Sequence, residues 1–146
     1  MKLQNDITSW LSRVWVFAGL GLLGLLDATY LTVEHYTGSQ GCTIGGCGVV
    51  TTSSYATIGS IPVSLLGVLY YAIILGLSLA VVATNRRDLF RKLAILTIAG
   101  LIASMYFVSL QVFAIHAYCM FCLFSALTST LLFIWGMIQV KQIKAQ

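Results

Sequence analysis

Every lysine and arginine of this chain falls in one of three short segments, and the long apolar stretches between them carry none. Lys2 and Arg13 form the first group, Arg86, Arg87, Arg91 and Lys92 the second, and Lys141 and Lys144 the third. Each interval between groups holds two apolar windows: Val14 to Val33 and Pro62 to Thr84, then Leu93 to Ile115 and Cys119 to Val140. Each window is about 20 residues or slightly longer, the length a helix needs to cross the hydrocarbon core of a bilayer. Basic residues of short connections stay on the cytoplasmic side. A chain crossing four times puts all three basic groups on that side, with both termini in the cytoplasm. Segment 34–61 and the turn at His116 then lie on the opposite face. The expected fold is an all-α integral membrane protein, a four-transmembrane-helix bundle.

Composition agrees. Hydrophobic residues make up 59% of the chain and charged residues 8%, where soluble domains carry about a quarter charged. The net charge of +4 does not point to nucleic acid, because the basic residues lack the clustered face that phosphate binding needs. The first window is too long for the apolar region of a cleavable leader, and no small-x-small site follows it cleanly. It is expected to remain as a span. Gly19, Gly21 and Gly24, and the pairs Gly76/Ala80 and Gly100/Ser104, are small residues that let helices approach closely in lipid.

The four cysteines form two close pairs, and this topology puts both on the outer face. In a bacterium that face of the cytoplasmic (inner) membrane is the periplasm, where disulfides form and persist. Cys119 and Cys122 head the last window, and residues spaced i, i+3 share a helix face. A helix N-terminus favours thiolate over thiol. Cys119 is expected to be the better exposed of the two and Cys122 to lie one turn deeper. Cys42 and Cys47 sit in segment 34–61 among Gly38, Gly41, Gly45, Gly46 and Gly48. A connection of that length is functional or disordered, and two cysteines favour function. The more apolar Val49 to Ile58 is expected to form a short interfacial helix, and Pro62 to open the second span.

Thiol–disulfide exchange requires the attacking sulfur to reach the disulfide it attacks. A loop pair can meet a partner protein on one side and Cys119 on the other. The order of residues suggests a route from partner thiols through Cys42, Cys47, Cys119 and Cys122 to an acceptor held among the helices. An acceptor reached from within the bilayer is apolar, which suits a lipid-soluble quinone. No nucleotide-binding signature is present, and Leu123 stands where a haem-attachment motif has histidine. The plain readings are buried small hydrophobes or two structural disulfides, although Cys-x-x-Cys closes too short a loop to be a good staple. A four-cysteine metal-binding membrane protein is the reading from another class, since the spacings suit zinc. The oxidising face and the depth of Cys122 weigh against it, and no metal is expected.

Two further groups are candidates for tuning the thiols. Asp27 lies within a span, where an ionisable group is costly and faces the bundle interior or a cavity. It either adjusts a thiol or moves protons, or it is satisfied near the interface. His116, three residues before Cys119, either stabilises a thiolate or is a plain interfacial histidine.

The Cys-x4-Cys pair in the first outer loop, the run Cys47-Gly-Val-Val-Thr-Thr-Ser-Ser-Tyr-Ala-Thr, Gly59-x-x-Pro62 opening a span, and Cys-x-x-Cys starting the last one resemble the vitamin K epoxide reductase family. The likeness covers nearly the whole chain and is greatest to prokaryotic members without a fused thioredoxin-like domain. It implies a single membrane domain over residues 1–146, with the bundle surrounding a quinone pocket and a short helix of the outer loop capping it. The implied activity is disulfide formation de novo: a DsbA-like partner of thioredoxin fold, acting in trans, is oxidised while ubiquinone, menaquinone or a vitamin K-type quinone is reduced. By the same carry-over Cys42 and Cys47 are the shuttle pair, Cys119 receives from Cys47, and Cys122 reduces the quinone. Ser53, Tyr55 and Phe121 are the expected pocket walls. Reduction of vitamin K or its epoxide is the alternative activity. The DsbB type of enzyme has the two pairs in the opposite order.

Overall fold

The computed structural model describes residues 2–38 and 46–144. Its elements are helix α1 (Lys2–Thr37), short helix α2 (Cys47–Thr52), strands β1 (Thr57–Ile58) and β2 (Ile61–Pro62), and the long helices α3 (Val63–Thr84), α4 (Arg87–Leu110) and α5 (Met120–Lys144). A π-helical turn, Gln111–Ile115, extends α4. Four helical stretches are long and apolar enough to cross a membrane: Trp10–Thr37, Val63–Thr84, Arg87–Ile115 and Met120–Gln142. They coincide with the four windows of the sequence, and the chain is an integral membrane helical bundle.

The bundle is a ring. α1 packs chiefly on α3 and α4 on α5, while α5 against α1 and α3 against α4 close the circle. Along α1 the buried positions Val14, Phe17, Gly21, Gly24, Ala28 and Leu31 recur every three or four residues, one stripe of the helix. The exposed positions between them, such as Trp15, Leu22, Leu23 and Leu26, are as apolar as the core. They suit a lipid solvent, where burial and polarity no longer correlate. The glycines of this stripe are not equivalent. A methyl group at Gly24 would overlap the ring of Tyr71 on α3, and one at Gly21 would come within 3.1 Å of Ile74, whereas Gly19 and Gly76 face open space.

Most of the core lies toward the ends that carry the basic groups. Phe90 receives the edges of Trp10 and Phe17, with ring centroids 4.9 and 5.3 Å apart. Arg13 donates to Gln139, 3.1 Å away, and to Gln142, while the Trp135 indole N–H donates to the Arg13 carbonyl. These bonds tie α1 to α5 and let an arginine at the bundle edge hold the buried amide of Gln139. The basic connector between α3 and α4 is shorter than its run of charges suggests. Asn85, in the left-handed region at φ 51°, ends α3 by donating its N–H to the Val81 carbonyl, and α4 begins at Arg87. Asparagine is one of the few residues with a side chain that accept this conformation routinely.

Outside the ring, α2 and the β1–β2 hairpin form a cap. Thr57 pairs with Pro62 and Ile58 with Ile61 across a turn at Gly59, whose φ is 66°. The expected helix over Val49 to Ile58 is thus only half right: it stops at Thr52, where Ser53 turns extended. Pro62 ends β2 and caps α3 instead of occupying its first turn.

Candidate functional site

A second, smaller core at the cap end consists of Leu31, Cys47, Val50 and Cys119, flanked by Ile115, Ala117 and Cys122. Three local features bring two of its members together from 72 positions apart in sequence. First, Gly46 adopts φ 81° ahead of α2, and a methyl group there would press within 3.3 Å of Ala117. Only glycine meets both demands at low cost, and so the start of α2 rests directly on the α4–α5 connection. Second, the His35 Nδ1–H donates to the Thr51 carbonyl at 3.3 Å, pinning the far end of α2 to the last turn of α1. Third, His116, at φ 56°, turns the chain out of the π-helical turn and into the short connection before Cys119. The outcome is a Cys47 Sγ to Cys119 Sγ separation of 3.0 Å, with both residues fully buried.

Cys119 caps the N-terminus of α5. Its carbonyl accepts the Leu123 N–H at 2.9 Å and its sulfur accepts the Cys122 N–H at 3.2 Å. This is the position at which Ser or Asp commonly satisfies a free helix N–H, here filled by a thiol. The bond to the Cys122 N–H draws the Cys119 thiol toward the thiolate, as the helix dipole predicts. It is outweighed by the hydrogen bond that Cys119 shares with the Cys122 side chain and by burial, and together they hold the thiol above its ordinary range. Cys119 lies just before the fourth spanning helix, in the wall of the cap. Two expectations are corrected here: Cys119 is the buried member of its pair and Cys122 the partly exposed one, and the Cys122 side chain and burial oppose the thiolate that the helix start favours.

A consequence can be measured. Alkylation proceeds through the thiolate. In a variant retaining Cys119 and Cys122 alone, alkylation of Cys119 is expected to be slow at pH 7 and to rise about tenfold per pH unit past the usual thiol range near 8.5. Adding Cys122→Ala removes the leading cause of the shift and moves that profile to lower pH. An unchanged profile would mean that Cys122 does not hold the Cys119 proton.

Adjoining this cluster through Leu31, Val50, Ile115 and Cys122 is a cavity of about 500 Å³ with mostly apolar walls, lined by all four long helices and the cap. Cys122 is in its wall, as are Ser53, Tyr55, Gln111, Ser125 and Ser129. Ser53 spends its hydroxyl on the Val50 carbonyl at 2.8 Å, closing the end of α2. Tyr71, also in the wall, donates to the Ser125 carbonyl at 2.8 Å and meets the hydroxyls of Ser125 and Ser129 at 3.0 and 2.9 Å.

The remaining sequence candidates are placed as follows. Phe121 is not in the cavity wall; it faces Tyr30 of α1, with centroids 4.9 Å apart. Asp27 is buried near the Tyr71 end of the cavity without lining it. His116 is exposed and acts through its backbone turn. Cys42 lies outside the described residues. Among the described residues no group of three or more His, Cys, Asp or Glu is placed to hold a metal ion. Sequence reasoning missed Gln111, 2% exposed, whose Oε1 accepts the Cys119 N–H at 2.9 Å. A lone amide in an apolar span needs a partner, and that was its signal. It also missed Ser125 and Ser129, which follow Cys122 at i+3 and i+7 on one helix face.

Comparison with known proteins gives a consistent picture. The chain is similar to the thiol-disulfide oxidoreductase LTO1 of Arabidopsis thaliana, 34% identical over 132 residues that make up 84% of this chain and 34% of the relative. It therefore spans about a third of the length of that curated relative. The model of the vitamin K epoxide reductase family matches residues 15–137, from the first spanning helix to the last. The chain belongs to the vitamin K epoxide reductase family.

Proposed function

We propose that this protein is a quinone-dependent thiol oxidoreductase that makes disulfides for a thioredoxin-fold partner. The observation that carries the reading is the contact of Cys47 with Cys119 in a cluster that adjoins a cavity walled by Cys122. Each cysteine then has one task. Cys42 exchanges with the partner's dithiol, which leaves as a disulfide while Cys42 and Cys47 become thiols. The Cys47 thiolate attacks Cys119 of a Cys119–Cys122 disulfide, forming a Cys47–Cys119 bond and freeing Cys122. Cys42 attacks Cys47, restoring the loop disulfide and releasing Cys119.

Cys119 and Cys122 now hold two electrons and two protons, and closing their disulfide hands both pairs to the acceptor. A quinone supplies that sink, leaving as the quinol. The cavity fits its headgroup in size and in the apolar character of its walls. Ser125 and Ser129 bring hydroxyls to the cavity wall, donors of the kind a quinone carbonyl oxygen accepts. Burial of Cys47 and Cys119 shields their exchange from water and from bulky thiols, while the partly exposed Cys122 leaves the second pair open to a small dithiol.

The basic segments support a reading with cytoplasmic termini and with the cysteines at the periplasmic face of a bacterial inner membrane, where the partner would be of the DsbA kind. The test is quinone reduction by purified protein, followed with a water-soluble ubiquinone analogue and either a reduced DsbA-like protein or dithiothreitol as donor. Both donors are expected to support turnover. Cys42→Ala should abolish turnover with the protein donor and spare most of it with dithiothreitol. Quinone left unreduced by both donors would refute the proposal, and so would a stoichiometric zinc ion in the purified protein.

A further inference from the structure

We propose that Gln111 is a positioning residue for the thiol exchange, a clamp that holds Cys119 in reach of Cys47. This inference rests on the relay between those two sulfurs and not on the identity of the acceptor. The side chain is 2% exposed and sits at the first position of the π-helical turn, where the following residues are Val112, Phe113, Ala114 and Ile115. Placing an amide among such neighbours is unfavourable unless it is hydrogen-bonded. Its Oε1 takes the backbone N–H of Cys119 at 2.9 Å, a group at the helix start that has no intrahelical acceptor.

The clamp and the thiol are parts of one chain of bonds. Gln111 fixes the Cys119 backbone, the Cys119 sulfur takes the Cys122 N–H at 3.2 Å, and the same sulfur faces Cys47 at 3.0 Å. The connection 116–119 has no regular structure of its own, so this bond is what registers α5 against the end of α4. The π-helical turn gives the reason for its irregularity. Gln111 continues the inward stripe of α4 through Gly100, Ser104 and Phe107, and the wide turn begins at it; π-turns inserted in helices recur at functional sites. Gln111 also lines the cavity and therefore touches both the space for an acceptor and the backbone of the thiol that serves it. It does not touch a sulfur, and its influence runs through the Cys119 N–H.

The experiment uses the full chain carrying Cys42→Ala and Cys122→Ala, which leaves Cys47 and Cys119 as its thiols. Diamide takes two electrons and two protons from that pair and closes the Cys47–Cys119 disulfide, which is quantified by mass spectrometry after alkylation. Neither quinone nor partner is needed. Gln111→Met keeps the volume and removes the acceptor; it is expected to slow closure by roughly tenfold or more, the usual consequence of leaving a buried N–H unsatisfied. Gln111→Asn keeps the amide but falls one methylene short, and should be slow as well. It serves in place of the methionine variant if that one fails to fold. Gln111→Glu retains an oxygen at the same reach and should restore most of the rate.

Loss of the clamp also loosens the bond from residue 122 N–H to the Cys119 sulfur, so the pH at half-maximal closure rate moves upward in the slow variants. A purely structural role would leave that pH unchanged. Closure at the parent rate in Gln111→Met or Gln111→Asn overturns the proposal, as does a glutamate variant as slow as the methionine one at equal melting temperature. If the parent with Gln111 intact forms no Cys47–Cys119 disulfide, the relay itself is refuted and the clamp with it.

Discussion

Cys122→Ala is expected to abolish quinone-dependent turnover with every thiol donor and to accumulate a covalent Cys47–Cys119 species. The two sulfurs stand 3.0 Å apart, so the bond of about 2.05 Å closes with roughly 1 Å of side-chain movement. In the intact chain that bond is transient, because the Cys42 thiol attacks Cys47 and releases Cys119, whose reclosure with Cys122 draws the exchange forward. Without Cys122, Cys119 is a lone thiol. It attacks the loop disulfide and releases Cys42, but it has no neighbour with which to pass electrons into the cavity. With the released Cys42 alkylated so that it cannot attack Cys47 again, non-reducing peptide mapping should find Cys47 joined to Cys119 in most of the population. Cys47→Ala should remove both this species and turnover with a protein donor, while leaving the Cys119–Cys122 disulfide able to form. Partner-driven quinone reduction surviving in Cys122→Ala would show that electrons leave the chain by another sulfur, and the proposed order would be wrong.

The parts of this site that could be read from sequence are those set by covalent spacing and by the membrane. Hydropathy locates the spans because their lipid-facing surfaces are apolar all round, and the cysteines follow from the turns between them. The ends of the helices were less visible. α1 begins at Lys2, some three turns before the apolar window opens at Val14, since a helix does not stop where hydrocarbon does. Facing was the weaker link. Phe121 was expected in the pocket, yet it is its neighbour Cys122 that lines the cavity. One residue along a helix is a rotation of about 100°, which carries Phe121 to Tyr30 and leaves the cavity to Ser125 and Ser129. The burial of Cys119 could not be read from depth alone. It depends on Gly46 packing the cap onto Ala117, a long-range contact with no local signature. Gln111 carried a local signal as a lone amide in an apolar span, but its partner did not, being a backbone group eight residues on across an irregular turn.

The three glycines of α1 turn this distinction into a measurement. All lie at spacings that suit helix packing in lipid, and the sequence offered no way to rank them. The structure does. An added methyl group at Gly24 would overlap several ring atoms of Tyr71, a residue 1% exposed whose hydroxyl is fastened to Ser125 and Ser129 on α5. The ring cannot move away without breaking those bonds or forcing α1 off α3. Overpacking of this kind costs about 1–3 kcal/mol, and each hydrogen bond lost adds about 1 kcal/mol. Gly24→Ala is therefore expected to destabilise the bundle by about 2–4 kcal/mol and to weaken acceptor binding as well, since Tyr71, Ser125 and Ser129 all line the cavity. Gly19→Ala meets nothing within 4 Å and gains the better helix propensity of alanine, up to about 1 kcal/mol; it should be neutral or slightly stabilising. Gly21→Ala, 3.1 Å from the Cγ2 methyl of the buried Ile74 and 3.4 Å from the Leu75 backbone, should fall between them. Unfolding in mixed micelles measures all three on one scale, and equal stabilities for Gly24→Ala and Gly19→Ala would mean that α1 does not pack on Tyr71 in the membrane.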